Sequence, residues 1–211
     1  MTPVASADIS LTIDGNQVIM KNTKKVILIG GSPRVGKSTA AALLASKLLR
    51  PCVSTDDIGE ALQSVLDINP MKGYDYPDYY ARRTQQQLID DIIAYHKKVE
   101  PAIARLVETH AAWGDPLVME GWALYPALVR RIENEQVFSV WLIAEEGLLE
   151  HRVRASCSFG ENAKVIGNYL ARSEWHNKTL LEQCRTWNRN HVYVEEGMTA
   201  EAIVAAIQKM F

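Results

Sequence analysis

The chain has 211 residues, of which 47% are hydrophobic and 23% are charged, and its formal net charge at pH 7 is −2. This composition is typical of a soluble globular protein, and the length suits a single domain over residues 1–211 with a sizeable core. The small net charge excludes a general electrostatic attraction to nucleic acid or to a membrane surface.

The cysteines and the N-terminal residues bear on the cellular compartment. Cys52, Cys157 and Cys184 are odd in number and lack the spacing of a metal site, which indicates reduced thiols. Residues 1–8 lack the basic segment and apolar run of a signal peptide, and no uncharged stretch is long enough to span a bilayer. We therefore expect a cytoplasmic protein without a membrane partner.

Residues 9–20 carry the first structural signal of the chain. Apolar and polar residues alternate on either side of Asp14-Gly15-Asn16, a pattern that predicts a β-hairpin. We expect this hairpin at the edge of the main sheet. A structural role is the main interpretation, and contacts to a nucleotide or to another subunit are the alternative.

Residues 31–39 form a glycine-rich turn between an apolar run at 26–29 and an alanine- and leucine-rich run at 40–49. The order strand, turn and helix fits the phosphate-binding P-loop pattern, in which backbone N–H groups and a helix N-terminus surround phosphate oxygens. Lys37 would reach the terminal phosphates, and Ser38 would offer its hydroxyl to magnesium. The alternative is an ordinary turn. The predicted nucleotide-binding residues are Gly31, Ser32, Pro33, Arg34, Val35, Gly36, Lys37, Ser38 and Thr39.

An acidic pair follows the second predicted strand, residues 52–54. Asp56 and Asp57 stand at the carboxyl end of this strand, where open α/β sheets bind their ligands. Asp56 is the candidate base that would orient an acceptor hydroxyl towards a phosphate. Asp57 could take that role instead, or could hold a water on magnesium. The structural alternative is that one of them caps the helix expected from Ile58, and Asp57 is the better candidate for that cap.

Residues 67–116 are predicted to form a helical insertion that covers an acceptor site. An aromatic loop opens the insertion, and apolar residues then recur at steps of three and four, with Pro101 expected to kink or split the helix. Tyr74, Arg82 and Arg83 are the candidate substrate residues, because an arginine there would suit an acidic acceptor. The alternative is that the aromatic side chains pack a small subdomain.

The third predicted strand, residues 117–119, ends at Glu120. A carboxylate in this position could bind magnesium through water or contact the acceptor, whereas the structural alternative is an exposed glutamate at a strand end. Trp122 follows two residues later and could form a wall of the acceptor pocket.

After the fourth predicted strand, residues 145–172 form an expected lid region with Arg152 and Arg154 on its first helix. These two arginines are two positions apart and do not share a helix face, so one of them can be functional while the other is solvated. Arg172 is a third candidate. A fifth strand and a C-terminal helix complete the chain, and the alternation of strands and helices predicts a parallel sheet covered on both sides.

These features resemble the P-loop kinases of small molecules and nucleoside monophosphates. The resemblance rests on the P-loop, the acidic pair at Asp56, the carboxylate of Glu120 and the arginine-bearing helix. It implies a three-layer α/β sandwich whose five-stranded parallel sheet has the order 2-3-1-4-5, with ATP and Mg²⁺ as cofactors. It also implies that Lys37, Arg152 and Arg154 act in catalysis, the two arginines by closing over the nucleotide.

Residues 117–126 are similar to a stretch of the 2-phosphoglycerate kinase family, although Ala123 stands where that family has a histidine. We therefore expect an ATP-dependent phosphotransferase that acts on a hydroxyl or acidic group of a small molecule, with a sugar acid or a phosphoglycerate favoured. The alternatives are a nucleoside or nucleotide kinase and a nucleotide-binding regulatory module with little turnover. We expect a monomer or homodimer and no nucleic-acid partner.

Overall fold

The computed structural model describes residues 24–156, 159–160 and 162–210. The hairpin predicted over residues 9–20 lies outside these residues. The strands are β1 (Val26–Gly31), β2 (Cys52–Ser54), β3 (Leu117–Gly121), β4 (Val137–Ala144) and β5 (His191–Val194). They form one sheet in which every pairing is parallel and the order is β2-β3-β1-β4-β5. This order confirms the predicted sheet.

Helices cover both faces of the sheet. Within the described ranges the helices are α1 (Lys37–Lys47), α2 (Thr55–Gln63), α3 (Tyr76–Arg82), α4 (Gln85–Ala112), α5 (Pro126–Ile132), α6 (Leu148–Ala155), α7 (Ala163–Thr186) and α8 (Ala200–Gln208). All six residues of the central strand β1 are buried, because helices pack on either side of it. No helix of the described chain is long and apolar enough to cross a membrane.

Two apolar clusters hold the helices against the sheet. One cluster joins α1, α3, α6 and α8 to one face, and the other joins α4 and α5 to the opposite face. The long helix α7 contributes to both clusters, with Val165 in the first and Leu180 in the second. The residues in the middle of α7 therefore lie between the two cores.

The helical insertion is divided at Thr84 rather than at Pro101. The Thr84 hydroxyl accepts the N–H of Gln87 at 3.2 Å, and the Gln87 side chain accepts the N–H of Thr84 at 2.9 Å. This capping box starts α4. The helix then continues through Pro101, so it is not split there, and the alternative of a kink stays a prediction. The flanking Val99 and Ile103 are fully buried, and their packing offsets the loss of the backbone hydrogen bond that proline cannot make.

Helix α2 begins at Thr55, three residues earlier than expected. Ser54 is its N-cap, since the Ser54 hydroxyl accepts the N–H of Asp56 at 3.1 Å. Neither Asp56 nor Asp57 therefore caps the helix, and the structural alternative that assigned the cap to Asp57 is wrong. Both carboxylates lie in the first turn, where the helix dipole favours negative charge.

Candidate active site

The P-loop backbone connects the end of β1 to the start of α1. Arg34 and Gly36 have φ angles of 66° and 103°, which place both residues in the left-handed region that turns backbone N–H groups towards one concave surface. Helix α1 begins at Lys37 without a side-chain cap. Its first N–H groups are consequently available to an anion, and the local backbone suits phosphate oxygens.

Lys37 lies beneath this loop with 7% of its surface exposed. Its Nζ donates to the backbone oxygen of Ser32 at 2.9 Å. Burial lowers the pKa of Lys37, while the charges of Glu120 and Asp56 act in the opposite direction. The two carboxylates thus lie close enough to the ammonium group to favour its charged form.

Ser38 and Glu120 meet at the carboxyl edge of the sheet. Glu120 lies opposite Ile29 in the pairing of β3 with β1, and the Ser38 hydroxyl donates to Glu120 Oε1 at 3.0 Å. Glu120 is only 5% exposed, so the alternative of an exposed strand-end glutamate is wrong. Hydroxyl and carboxylate oxygens suit Mg²⁺, which commonly takes its remaining ligands from water and substrate phosphates.

The two aspartates of α2 have different surroundings. Asp56 Oδ1 accepts a hydrogen bond from the indole Nε1 of Trp122 at 2.7 Å, and both side chains line a cavity that also reaches Lys37. Asp57 is exposed and lines neither of the two cavities beside Lys37. Asp56 therefore lies in the same cavity as Lys37, whereas Asp57 does not line it.

One of these cavities, of about 340 Å³, opens over the P-loop, and we call it the P-loop cavity. Arg152 lines it and donates from Nη1 to the backbone oxygen of Arg34 at 3.0 Å. Arg154 instead pairs with Glu150 on an exposed face of α6. The structure therefore brings Arg152, and not Arg154, to the predicted nucleotide site. The cavity is lined by Arg34, Gly36, Lys37, Ser38, Thr39 and Arg152.

The second cavity, of about 360 Å³, is called the aromatic cavity because six aromatic side chains line it. Among the described residues, Lys37 is the only one that lines both cavities. Of the remaining predicted P-loop residues, Pro33 lines the aromatic cavity, whereas Gly31, Ser32 and Val35 are buried at the base of the loop. The aromatic lining consists of Tyr76, Tyr79, Tyr80, Tyr95, Trp122 and Tyr169.

Three predicted substrate residues, Tyr74, Arg82 and Arg83, do not line the aromatic cavity. Arg82 pairs with Asp78 at 3.3 Å on the surface, and Arg83 Nε lies 3.6 Å from Asp91. Both guanidinium groups lie over the Tyr74 ring, at 5.7 and 5.9 Å from its centroid. The role of these side chains in acceptor binding stays a prediction; here the two arginines lie beside carboxylates of the insertion itself.

Arg172 of α7, unlike Arg82 and Arg83, lines the aromatic cavity. It is 7% exposed, and its guanidinium lies 5.0 to 5.2 Å from the ring centroids of Tyr80, Trp122 and Tyr169. Within the described ranges it has no carboxylate partner, and its buried Nε has no hydrogen-bond partner. Burying an unpaired charge is costly, and contacts with ring faces offset only part of that cost.

The sequence carries a signal for Arg172 that spacing alone could have revealed. Tyr169, Arg172, His176 and Leu180 recur at steps of three and four and are all buried on one face of α7. An arginine and a histidine inside such a buried stripe require partners or a ligand. The predicted lid over residues 145–172 places Arg172 with the nucleotide, whereas the side chain lines the aromatic cavity.

His176 joins the P-loop to the Trp122 segment. It is fully buried, with Nδ1 at 3.1 Å from the Ser32 hydroxyl and Nε2 at 3.0 Å from the backbone oxygen of Trp122. A carbonyl oxygen only accepts, so Nε2 carries the proton, and Nδ1 of the neutral ring accepts from Ser32. Burial, followed by the charges of His96 and Lys37, lowers the pKa of His176 well below its usual range.

His96 lies beside this network with its ring 4.6 Å from that of Trp122. It is buried, and neither ring nitrogen has a hydrogen-bond partner among the residues the structure describes. Burial, followed by the charge of Arg172, lowers the pKa of His96 to about 3. Both buried histidines are therefore neutral at physiological pH.

Comparison with known proteins supports the kinase resemblance. The chain is 31% identical over 208 residues to the 2-phosphoglycerate kinase of Methanococcus maripaludis strain C7, a match covering 88% of this chain and 64% of that protein. It is 23% identical over 194 residues to the 2-phosphoglycerate kinase of Thermococcus kodakarensis, a match covering 89% of this chain and 66% of that protein. The chain thus spans less than two thirds of the length of these curated relatives. No protein-family model matches it.

Solved structures show the same architecture. A shikimate kinase from Bacteroides thetaiotaomicron superposes with a TM-score of 0.53 at 14% identity, covering 88% of this chain and 95% of that one. A gluconokinase from Sinorhizobium meliloti 1021 superposes with a TM-score of 0.51 at 16% identity, covering 90% of this chain and 95% of that one. The chain has the fold of the P-loop small-molecule kinases. The superpositions confirm the predicted fold, and the curated relatives confirm the resemblance to 2-phosphoglycerate kinase.

Proposed function

We propose that the chain transfers the γ-phosphate of ATP to a hydroxyl or acidic group of a small acidic molecule. The observation that carries this proposal is the position of Lys37 at the junction of the P-loop cavity and the aromatic cavity. A buried cation at such a junction can neutralise a phosphoryl group as it passes from one side to the other. The P-loop cavity is then the donor side and the aromatic cavity the acceptor side.

In the favoured reaction, an acceptor hydroxyl in the aromatic cavity attacks the γ-phosphorus of ATP. The bond between that phosphorus and the oxygen bridging the β- and γ-phosphates breaks, and ADP leaves with the electron pair. The hydroxyl proton passes to the Asp56 carboxylate. The indole N–H of Trp122 holds one oxygen of this carboxylate at 2.7 Å, and the other oxygen is left to accept from the acceptor.

Ser38 and Glu120 would hold Mg²⁺, the hydroxyl directly and the carboxylate through water. The hydrogen bond from the Ser38 hydroxyl to Glu120 at 3.0 Å supports this role, because the two oxygens lie close to each other. When bound, the ion neutralises phosphate charge and fixes the geometry of the transferring group. Arg152 lines the same cavity and supplies a further positive charge over the nucleotide.

An acidic acceptor is supported by Arg172. A buried guanidinium without a carboxylate partner among the described residues is matched by an anionic ligand. The names of the relatives and of the structural neighbours refer to 2-phosphoglycerate kinase, gluconokinase and shikimate kinase, whose named substrates are small hydroxylated acids. A sugar acid or a phosphoglycerate-like molecule therefore falls within the proposed class.

The proposal is tested by measuring ADP formation from Mg²⁺-ATP with a panel of hydroxy acids, sugars, nucleosides and oligonucleotides. We expect turnover that depends on a hydroxy acid and is lost in Lys37→Met. Preference for a nucleoside or nucleotide would favour the alternative nucleotide kinase. Binding of Mg²⁺-ATP without turnover on any acceptor would contradict the transferase and favour a regulatory module.

A further inference from the structure

Hydrogen bonds through His176 join the P-loop to the segment that follows β3. Ser32 belongs to the P-loop, His176 lies within α7, and Trp122 comes directly after β3. The Nδ1 atom of His176 lies 3.1 Å from the Ser32 hydroxyl, and Nε2 lies 3.0 Å from the backbone oxygen of Trp122. One buried ring therefore contacts the phosphate-binding turn on one side and the segment after β3 on the other.

These hydrogen bonds continue at both ends to a charged side chain. The Lys37 ammonium donates to the backbone oxygen of Ser32 at 2.9 Å, and the Trp122 indole donates to Asp56 Oδ1 at 2.7 Å. The buried cation of the donor side is thus connected to the candidate base of the acceptor side. The five connected residues, which we call the coupling chain, are Lys37, Ser32, His176, Trp122 and Asp56.

The imidazole of His176 suits the middle of this chain because a neutral ring has one donor and one acceptor nitrogen. The Trp122 oxygen only accepts, so Nε2 donates to it, and Nδ1 accepts from the Ser32 hydroxyl. The same hydroxyl lies 3.3 Å from the backbone oxygen of Ser173, so its single proton faces two acceptors. His176 is fully buried, and this burial lowers its pKa, which keeps the ring neutral near pH 7.

His96 provides a comparison within the same core. It is buried too, and its ring centroid lies 4.6 Å from that of Trp122 and 6.2 Å from that of His176. Neither of its ring nitrogens has a hydrogen-bond partner within the described ranges. Both histidines pack near the same tryptophan, and His176 is the one of the two that bonds it to the P-loop. Filling the core is therefore not sufficient to explain the two hydrogen bonds of His176.

Phosphoryl transfer makes the connection between the ends of the chain important. The attacking oxygen and the γ-phosphorus must lie in line, and a displacement of about 1 Å can slow a reaction about 100-fold. In the proposed function, Lys37 of α1 holds the phosphoryl group and Asp56 of α2 holds the acceptor hydroxyl. The relative position of these two side chains consequently decides the alignment.

We propose that His176 is a positioning residue, which keeps Asp56 aligned with Lys37 through its bonds to Ser32 and Trp122. It lines neither cavity, so it acts on the reaction through the two ends of the coupling chain and not by touching a substrate. This inference rests on the proposed function, because it takes Asp56 as the base and Lys37 as the cation at the transferring group.

Steady-state kinetics with Mg²⁺-ATP and the best acceptor test the inference. His176→Leu and Ser32→Ala each break the chain, and we expect each to lower the maximal rate about tenfold while both KM values stay within about twofold. Added to Trp122→Phe, His176→Leu should cost no more than about a further twofold, because Asp56 has already lost its link. Independent losses would multiply to about 100-fold, and that result overturns the inference.

His96→Leu is the matched control, since it removes a buried histidine beside Trp122 that has no hydrogen bond to another described residue. It should keep the maximal rate within about threefold. A loss equal to that of His176→Leu would assign the effect to packing and overturn the inference. Ser32→Ala removes only a hydroxyl, so it keeps the test decisive even if His176→Leu does not fold.

Deuterium exchange of the Trp122 indole N–H, followed by NMR, examines the same link without turnover. We expect this exchange to be about tenfold faster in Ser32→Ala and His176→Leu, and within about twofold of the unchanged chain in His96→Leu. Unchanged exchange in both Ser32→Ala and His176→Leu overturns the inference. Absence of phosphoryl transfer to any acceptor by the unchanged chain contradicts the proposed function instead, and the exchange rates then still test the coupling chain.

Discussion

The two cavities that meet at Lys37 are built in different ways. The P-loop cavity is formed by six residues, five of them within the turn from Arg34 to Thr39. The aromatic cavity draws its walls from the P-loop, from helices α1, α2, α3, α4 and α7, and from the loops that follow α2 and β3. The first site depends on local backbone conformation and the second on side chains that meet only in the folded chain. The comparison shows why a donor site is easier to recognise than an acceptor site.

The largest effect is expected where the two cavities join. Lys37→Met removes the shared cation, and we expect the maximal rate of transfer to fall about 1,000-fold, a loss of about 4 kcal/mol of transition-state stabilisation. Steady-state kinetics with Mg²⁺-ATP and the best acceptor measure this change. Lys47→Met, at the exposed end of α1, is the control and should retain the rate. If Lys37→Met kept a rate within tenfold of that of the unchanged chain, the proposed role of Lys37 at the junction of the two cavities would be contradicted.

Asp56→Asn should produce the next largest loss, because the amide cannot take up the hydroxyl proton. We expect the maximal rate to fall about 100-fold or more, with the KM for ATP little changed. The neighbouring Asp57→Asn should stay within about threefold in both quantities, since Asp57 lines neither cavity. The opposite ranking of the two variants would assign the base to Asp57.

The sheet order, the P-loop and the placement of Glu120 beside Ser38 could all be predicted from the sequence. The P-loop and Glu120 depend on short local patterns at the carboxyl ends of strands, whereas the sheet order follows from the resemblance to the P-loop kinases. The position of Arg82 and Arg83 outside the aromatic cavity could not be predicted, because local carboxylates compete for these arginines. The position of Arg172 in the aromatic cavity could not be predicted either, because it depends on contacts with rings that are distant in the chain. Arg172 and Tyr80, for example, are 92 residues apart.

Trp122→Phe tests the link between the aromatic wall and the candidate base. The change keeps a ring but removes the N–H that holds Asp56 at 2.7 Å. We expect the maximal rate to fall about tenfold, equivalent to about 1.4 kcal/mol, with the KM for ATP unchanged. Trp113→Phe, at a side chain that is 78% exposed, is the control. An unchanged rate in Trp122→Phe would show that this hydrogen bond does not position the base.

The acceptor side should also make the stability of the chain depend on pH. The pKa values of His96 and His176 are lowered in the folded chain, so the unfolded chain binds more protons below about pH 6.5. Stability is complete above that pH and should fall between pH 8 and pH 5, by about 2 kcal/mol for His96 and in the same direction for His176. Urea unfolding followed by tryptophan fluorescence measures this loss. His96→Leu should retain about half of this pH dependence. If the unchanged chain had the same free energy of unfolding at pH 8 and at pH 5, the prediction would be contradicted.

The assignment of one cavity to each substrate is tested most directly by a crossed measurement of two KM values. Arg152 lines only the P-loop cavity, and Arg172 lines only the aromatic cavity. We expect Arg152→Met to raise the KM for ATP about tenfold and Arg172→Met to raise the KM for the acceptor about 30-fold. Each variant should leave the other KM within about twofold. If Arg172→Met raised the KM for ATP as much as that for the acceptor, the division into a donor side and an acceptor side would be contradicted.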